Sequence, residues 1–311
     1  MKIEELKIQS LADGLELHVT VATPDDESLI KGIVQIAHGM CEYIDRYQPM
    51  MEYFTSRGYV VAGNDHRGHG KSAHDEKDLG WFGAGDGCRD GSALVSDLAC
   101  VTRVLKEKYP NVPITLLGHS MGSMATMVYL QTHDALVDRV VFSGSPTKNP
   151  ASGIAVFLSD VIALFRGARH RSKTLYALSI GAYEKRFEEE GKAAWLSVNK
   201  ANVEKYVVDP YCSYTFTCNG YRNLFSLLNG AYKAKRYKVS NPKLPLLFIA
   251  GGEDPVIVSE KNWRSAQGFF KGVGYQNVRG EIYAGYRHEL LNEENPTPYY
   301  EAILSFIEQG A

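Results

Sequence analysis

The feature that most constrains the fold is a series of short apolar runs, rich in β-branched residues, each stopping at glycine or a polar turn. They read GIVQIAHG (32–39), YVVAGNDHRGHG (59–70), ITLLGHS (114–120), RVVFSGS (139–145) and PLLFIAGGED (245–254), with a weaker one at NVRGEIYAG (277–285). Runs apolar at every position suit parallel strands covered on both faces. Helical patterns lie between them. RYQPMMEYFTSRG closes on Gly58, DGSALVSDLACVTRVLKEKYP stops at Pro110, and PTPYYEAILSFIEQG opens on prolines and closes on a glycine. Two segments at the start, EELKIQS and LELHVTV, flank the turn ADG and predict a hairpin. Strand–helix alternation of this kind predicts an α/β protein with an eight-stranded, mostly parallel sheet and helices on both faces.

One stretch breaks the alternation. From Pro146 to Ser240 no clear strand occurs, and so long a segment is not a loop of a compact domain. It predicts a helical cap, residues 146–240, over the carboxyl ends of the strands, where open α/β sheets bind ligands. Residues 1–145 and 241–311 then form the core. At 311 residues, with 44% apolar and 23% charged side chains, the chain can bury such a core. Its 34 basic and 36 acidic residues nearly cancel, which gives no reason to expect nucleic acid as a partner. Five cysteines, an odd number without a CxxC spacing, argue against a disulfide framework or a zinc knuckle. Lys2, Glu4, Glu5 and Lys7 interrupt any signal-peptide core at the start. A cytoplasmic protein is expected.

The chemistry is carried by Gly118-His119-Ser120-Met121-Gly122, between an apolar strand and an apolar helix. A serine on such a turn is held in a strained backbone conformation that projects its hydroxyl above the sheet, and small residues on either side let strand and helix approach. A hydroxyl is a poor nucleophile and needs a histidine base steered by a carboxylate, which on this architecture follow in the order Ser, Asp or Glu, His. Three histidines come after the elbow: His133, His170 and His288. His133 precedes the next strand and His170 lies in the basic cap segment RGARHRSK, so His288 is the candidate base. After strand 245–251, AGGEDPV offers Glu253 and Asp254. Asp254 is preferred because its Asp-Pro turn projects a short carboxylate, and Glu253 is the alternative. The backbone N–H groups of Met121 and of Met40, in the loop HGMCE, are the expected oxyanion donors, with Gly39 expected to allow the unusual backbone of that loop. Asp65, His66, His69 and His74 in DHRGHGKSAH are spaced closely enough for a metal, but Arg67 and Lys71 among them oppose a cation, and a structural loop is expected. No metal and no cofactor are expected.

AHGM, NDHRGHGKS, GHSMGS, AGGEDPV and GYRHELLNE together resemble, in order, the monoacylglycerol lipases and related bacterial lysophospholipases of the α/β-hydrolase fold. The resemblance covers nearly the whole chain, loosely in 146–240. It implies a catalytic triad of Ser120, Asp254 and His288, an oxyanion hole of Met40 and Met121, and cofactor-free cleavage of single-chain acyl esters. GMCEY stands where many of these lipases have small residues, which is expected to narrow the mouth near Met40. Within the cap, IAVFLSDVIALF (154–165) is apolar nearly all round and too short to span a bilayer. Arg166, Arg169, Arg171 and Lys173 follow it. Such a segment suits transient contact with a membrane surface, or simply packs on its own domain. The aromatics of 211–228 line an acyl channel or form plain core. A carboxylesterase for small soluble esters, an amidase or peptidase, and a non-catalytic ligand-binding member of the fold stand as alternatives.

Overall fold

The computed structural model describes residues 1–309. The hairpin segments and the six apolar runs each become a strand: β1 (Lys2–Gln9), β2 (Glu16–Thr23), β3 (Gly32–Ala37), β4 (Tyr59–Asn64), β5 (Ile114–His119), β6 (Arg139–Ser143), β7 (Leu246–Gly251) and β8 (Val278–Tyr283). They form one sheet in the order β1-β2-β4-β3-β5-β6-β7-β8. The β1–β2 hairpin is antiparallel, as is β2 on β4, and every other pair is parallel. β3, β4, β5 and β7 are buried at every position, which is why their sequences lack a two-residue period.

Helices cover both faces. α1 (Gln48–Thr55) lies on one face, α2 (Ser92–Lys108) and α3 (Met121–Tyr129) on the other. Alternation along β3 shows the division. Val34 and Ile36 pack with Met50, Met51 and Phe54 of α1, whereas Ile33 and Ala37 belong with Leu94, Leu98 and Met124 of α2 and α3. α1 ends before Gly58, which takes the turn into β4 with φ +87°.

Between β6 and β7 the described residues contain helices and no strand. They are α4 (Ser152–Arg166), α5 (Lys173–Tyr176), α6 (Ala182–Arg186), α7 (Lys200–Val208) and α8 (Cys218–Ala231), with a π turn, Ala177–Gly181, joining α5 to α6. α8 packs on α3 of the core and carries α4 on its other side. The chain then completes the sheet with β7 and β8, joined by α9 (Glu260–Val273) and followed by α10 (Thr297–Glu308). α9 joins the α2–α3 face and α10 the α1 face. The glycine expected to close α10, Gly310, lies outside the described residues.

Arg169 and Arg171 of the basic cap segment are engaged in structure. Arg169 pairs with Asp78 at 2.8 Å and lies over the Trp81 ring, and Arg171 donates to the carbonyls of Leu79 and Thr215. The histidine-rich loop is likewise tied to its backbone. The His38 Nε2 accepts from the His66 amide at 2.9 Å, and Asp65 accepts from the Ile44 and Lys71 amides at 2.8 and 2.7 Å.

Candidate active site

Ser120 follows the last residue of β5 and caps the N-terminus of α3 with φ 50° and ψ −114°. A non-glycine residue in that conformation is strained and persists only where its surroundings hold it. Here the Ser120 amide donates to the Ser143 carbonyl of β6 at 3.0 Å. The flanking glycines are needed for space. A Cβ on Gly118 would stand 2.6 Å from Thr126 Oγ1 and 2.7 Å from Ser123 Cα, and one on Gly122 would overlap the Ala37 carbonyl at the end of β3. Met121 opens α3, so its amide has no partner within the helix.

The loop after β3 brings Met40 to the same cavity as Ser120. Its geometry differs in one respect from the sequence expectation. Gly39 does not supply the unusual backbone; Cys41 does, with φ 55°. Glycine is needed at 39 because a Cβ would meet Glu42 Oε1 at 2.7 Å and Ser120 Cβ at 3.3 Å. Glu42 also accepts from the Gly39 amide and from the Tyr47 hydroxyl. The Cys41 thiol donates to the Tyr214 carbonyl, and burial pushes its pKa well above the ordinary value.

The structure brings Asp254, not Glu253, to His288. Asp254 is 2% exposed, just past β7; one carboxylate oxygen accepts from the Val256 amide and the other lies 2.9 Å from His288 Nδ1. Glu253 is exposed. A carboxylate only accepts, so Nδ1 carries the proton and Nε2 presents its lone pair. Nε2 is buried and has no hydrogen-bond partner among the described residues, and His288 lines the same cavity as Ser120. Burial alone would lower the pKa of His288. The Asp254 charge and hydrogen bond outweigh it, with Glu289 and Glu42 adding to them, and the net shift is upward from 6.5. His119, whose ring centroid is 4.8 Å from that of His288, goes the other way, pushed down to about 3 by burial and by His288.

Sequence reasoning missed a buried ionic network behind this site. Arg46 donates to Glu42 at 2.7 Å and to both oxygens of Glu289 at 2.8 Å. Asn202 of α7 donates to the same Glu289 at 2.7 Å. Burial opposes ionisation of both acids. Arg46 holds Glu289 below the ordinary carboxylate range, while desolvation leaves Glu42 above it. Glu42 and Arg46 are one helical turn apart and Glu289 adjoins His288, a pattern that could have pointed to them.

Ser120, His288, Met40 and Met121 line one cavity of about 290 Å³. Its other walls come mainly from the helices after β6, including Ala155, Leu158, Ile180, Leu224, Phe225 and Leu228. Three carboxylates reach it, Glu42, Glu184 and Glu289. Two are held by Arg46, and Glu184 adds to burial in raising the pKa of the Tyr176 hydroxyl. The 211–228 segment divides between both expected roles: Tyr214, Leu224 and Phe225 line the cavity, and Phe216, Cys218 and Tyr221 are buried core.

A mostly parallel eight-stranded sheet, with a strained serine at the β5–α3 elbow and a histidine–carboxylate pair delivered by the loops after β8 and β7, defines the α/β-hydrolase fold. The family model described as serine aminopeptidase, S33 (Hydrolase_4) matches residues 29–295, and the chain belongs to that family. It is 25% identical over 294 residues to the monoacylglycerol lipase of Mycolicibacterium smegmatis, covering 94% of this chain and 93% of that one. To the monoglyceride lipase of Homo sapiens it is 26% identical over 269 residues, 85% of this chain and 77% of the relative. Among solved structures, a highly thermostable carboxyl esterase from Bacillus coagulans in complex with glycerol superposes with a TM-score of 0.87 at 26% identity, covering 99% of each chain.

Proposed function

We propose that this chain hydrolyses carboxylic esters of single-chain lipids, monoacylglycerols or lysophospholipids, through an acyl-enzyme on Ser120. The observation that carries the reading is a single one: His288, oriented by Asp254 and with its Nε2 unpartnered, lines the same largely apolar cavity as Ser120. In this mechanism His288 Nε2 takes the Ser120 proton as Oγ adds to the ester carbonyl carbon. The Met40 and Met121 amides stabilise the resulting oxyanion. Collapse breaks the ester C–O bond, and the alcohol leaves with the proton returned by His288. Water then attacks the acyl-enzyme with His288 again as base, releasing the acid and restoring Ser120. Asp254 holds the tautomer and the imidazolium throughout.

The reading gives residues 146–240 the role of a cap that shelters the acyl chain. It also rests α4 on the lipid surface. Phe157, Leu164 and Phe165 are between 68% and 80% exposed, while Ile154, Ala155 and Leu158 of the same helix line the cavity. Among the described residues no helix is long and apolar enough to cross a membrane, so such contact would be peripheral. Five buried thiols support a reducing compartment, the cytoplasm. An aminopeptidase reading is less well supported, because a substrate ammonium needs an unpaired carboxylate and two of the three in the cavity, Glu42 and Glu289, are already held by Arg46. The likeness to the Bacillus coagulans carboxyl esterase favours a second reading, small soluble esters.

Hydrolysis of a glycerol monoester series from short to long acyl chains tests the proposal, with Ser120→Ala as control. A kcat/KM that rises toward long chains and vanishes in the variant is expected. A maximum at short chains moves the reading to a small-ester carboxylesterase. No turnover of any ester by the folded protein overturns it and leaves amide hydrolysis or simple ligand binding.

A further inference from the structure

Asp254 fixes only one atom of the His288 ring. A single hydrogen bond does not hold an imidazole that must receive and return a proton, and the remaining contacts show what does. On the core side the ring packs against Gly144, where a Cβ would stand 2.8 Å from Nδ1, and against His119. A further contact comes from the segment between α6 and α7. The Trp195 ring centroid lies 5.1 Å from that of His288 at 39°, and Tyr183 of α6 backs Trp195 at 5.4 Å.

The same segment grips both neighbours of His288. Arg287 donates to the Ala194 carbonyl at 2.8 Å and to Glu190 at 2.6 Å, with its guanidinium 4.1 Å from the Phe187 ring centroid. The Glu289 amide donates to the Leu196 carbonyl at 2.7 Å. Residues 287, 288 and 289 are thus each held by residues between 187 and 196, in the insertion rather than in the core.

We propose that the Phe187–Leu196 segment is the second half of the active site's scaffold, and that Trp195 is a positioning residue whose aromatic face holds the His288 ring and stabilises the imidazolium formed as Ser120 loses its proton. The proposal rests on His288 being the base. A cation within about 6 Å of an indole face is stabilised by the ring quadrupole, more so where water is excluded. Trp195 is 7% exposed and His288 1%. The stabilisation is absent for neutral His288 and present in the transition state, so it acts on kcat.

The charged and titratable groups around His288 are Asp254 after β7, Glu289 and Arg287 on its own loop, Glu42 and Arg46 after β3, His119 at the elbow and Tyr183 in the insertion. Each is retained when only Trp195 is changed. Trp195→Leu keeps apolar bulk and removes the π face; Trp195→Phe keeps a face. Steady-state kinetics across pH on a soluble short-chain ester separate the two. Trp195→Leu is expected to lower kcat about 3- to 10-fold with KM within about twofold, and to move the acid limb of kcat down by about half a pH unit. Trp195→Phe is expected to restore most of both.

Wild-type kcat and acid limb in Trp195→Leu overturn the proposal, and so does a Trp195→Phe variant impaired as much as Trp195→Leu, which would mean packing alone. A phosphonate probe on the wild type and on His288→Ala keeps the two levels apart. If Ser120 is labelled in the wild type but not in His288→Ala, an unaffected Trp195→Leu sinks this inference only. If Ser120 is not labelled in the wild type, the reading of the site itself has failed.

Discussion

The floor and the roof of the cavity are built by opposite rules. On the floor, the Ser120 elbow and the Gly39–Glu42 loop leave almost no free volume. A Cβ on Gly122 would overlap the β3 backbone, and the Gly39 amide is already spoken for by Glu42. On the roof, α4 turns Phe157, Leu164 and Phe165 to solvent, and a Cβ on its Gly153 would find its nearest neighbour, the Asn229 amide, at 3.9 Å. Bond-making chemistry needs atoms fixed to fractions of an ångström, and only a backbone locked by its neighbours supplies that. Admitting a flexible acyl chain needs apolar surface and tolerance. Three experiments probe how far the division holds.

The largest effect belongs to Asp254→Asn. The variant keeps the shape but can stabilise the wrong imidazole tautomer, and kcat should fall on the order of 10³–10⁴-fold. The pH profile carries a sign. The proposed mechanism needs neutral His288, whose pKa burial would depress but Asp254 raises above 6.5, so the wild-type acid limb is expected above that value. With the carboxylate removed, burial dominates and the limb of the residual activity moves down. The stability linkage runs the other way. A raised folded-state pKa stabilises the fold fully below the unfolded value, and that contribution is lost as pH rises through the folded pKa. A limb that stays in place in the variant would contradict the assignment of Asp254.

How legible these regions were in sequence follows from the range of the interactions. The strands were readable because burial on both faces leaves an apolar run, and the elbow was readable because its constraint lies within five residues. Asp254 and His288 were reachable through chain order, although they stand 34 residues apart. The Glu42–Arg46 spacing and the place of Glu289 beside His288 were the only local hints of the Arg46–Glu289 pair, separated by 243 residues, and nothing local announced Trp195 on His288. Gly39 shows a subtler limit. Glycine there was visible as special, but its reason is the approach of Glu42 and Ser120, and the left-handed residue is Cys41. The insertion was legible only as missing strands, since helices packed on two sides lose a clean 3.6-residue stripe.

Intermediate in size is a paired stability test. Gly122→Ala should cost about 1–3 kcal/mol, because the clash is with backbone that cannot rotate away. Gly153→Ala, in a helix with open space, should be neutral or stabilise by up to about 1 kcal/mol. Urea unfolding of both measures the contrast directly. Equal effects would mean that floor and roof are equally constrained.

The smallest effect is expected at the surface of α4. Phe157 and Phe165 are 68% and 79% exposed and line no part of the cavity. Their double change to serine should leave kcat/KM for a soluble short-chain ester within about twofold, as is usual for exposed positions. On long-chain monoacylglycerol presented in vesicles the rate should fall several-fold, because two aromatic side chains no longer enter the interface. Each buries roughly 1.5–3 kcal/mol of apolar surface when fully inserted, and less at an interface. Vesicle co-sedimentation should weaken in parallel. If both substrates lose activity equally, the residues support folding rather than lipid contact. If neither does, α4 is a closed roof and the substrate reaches Ser120 from water, which would bring the small-ester reading forward.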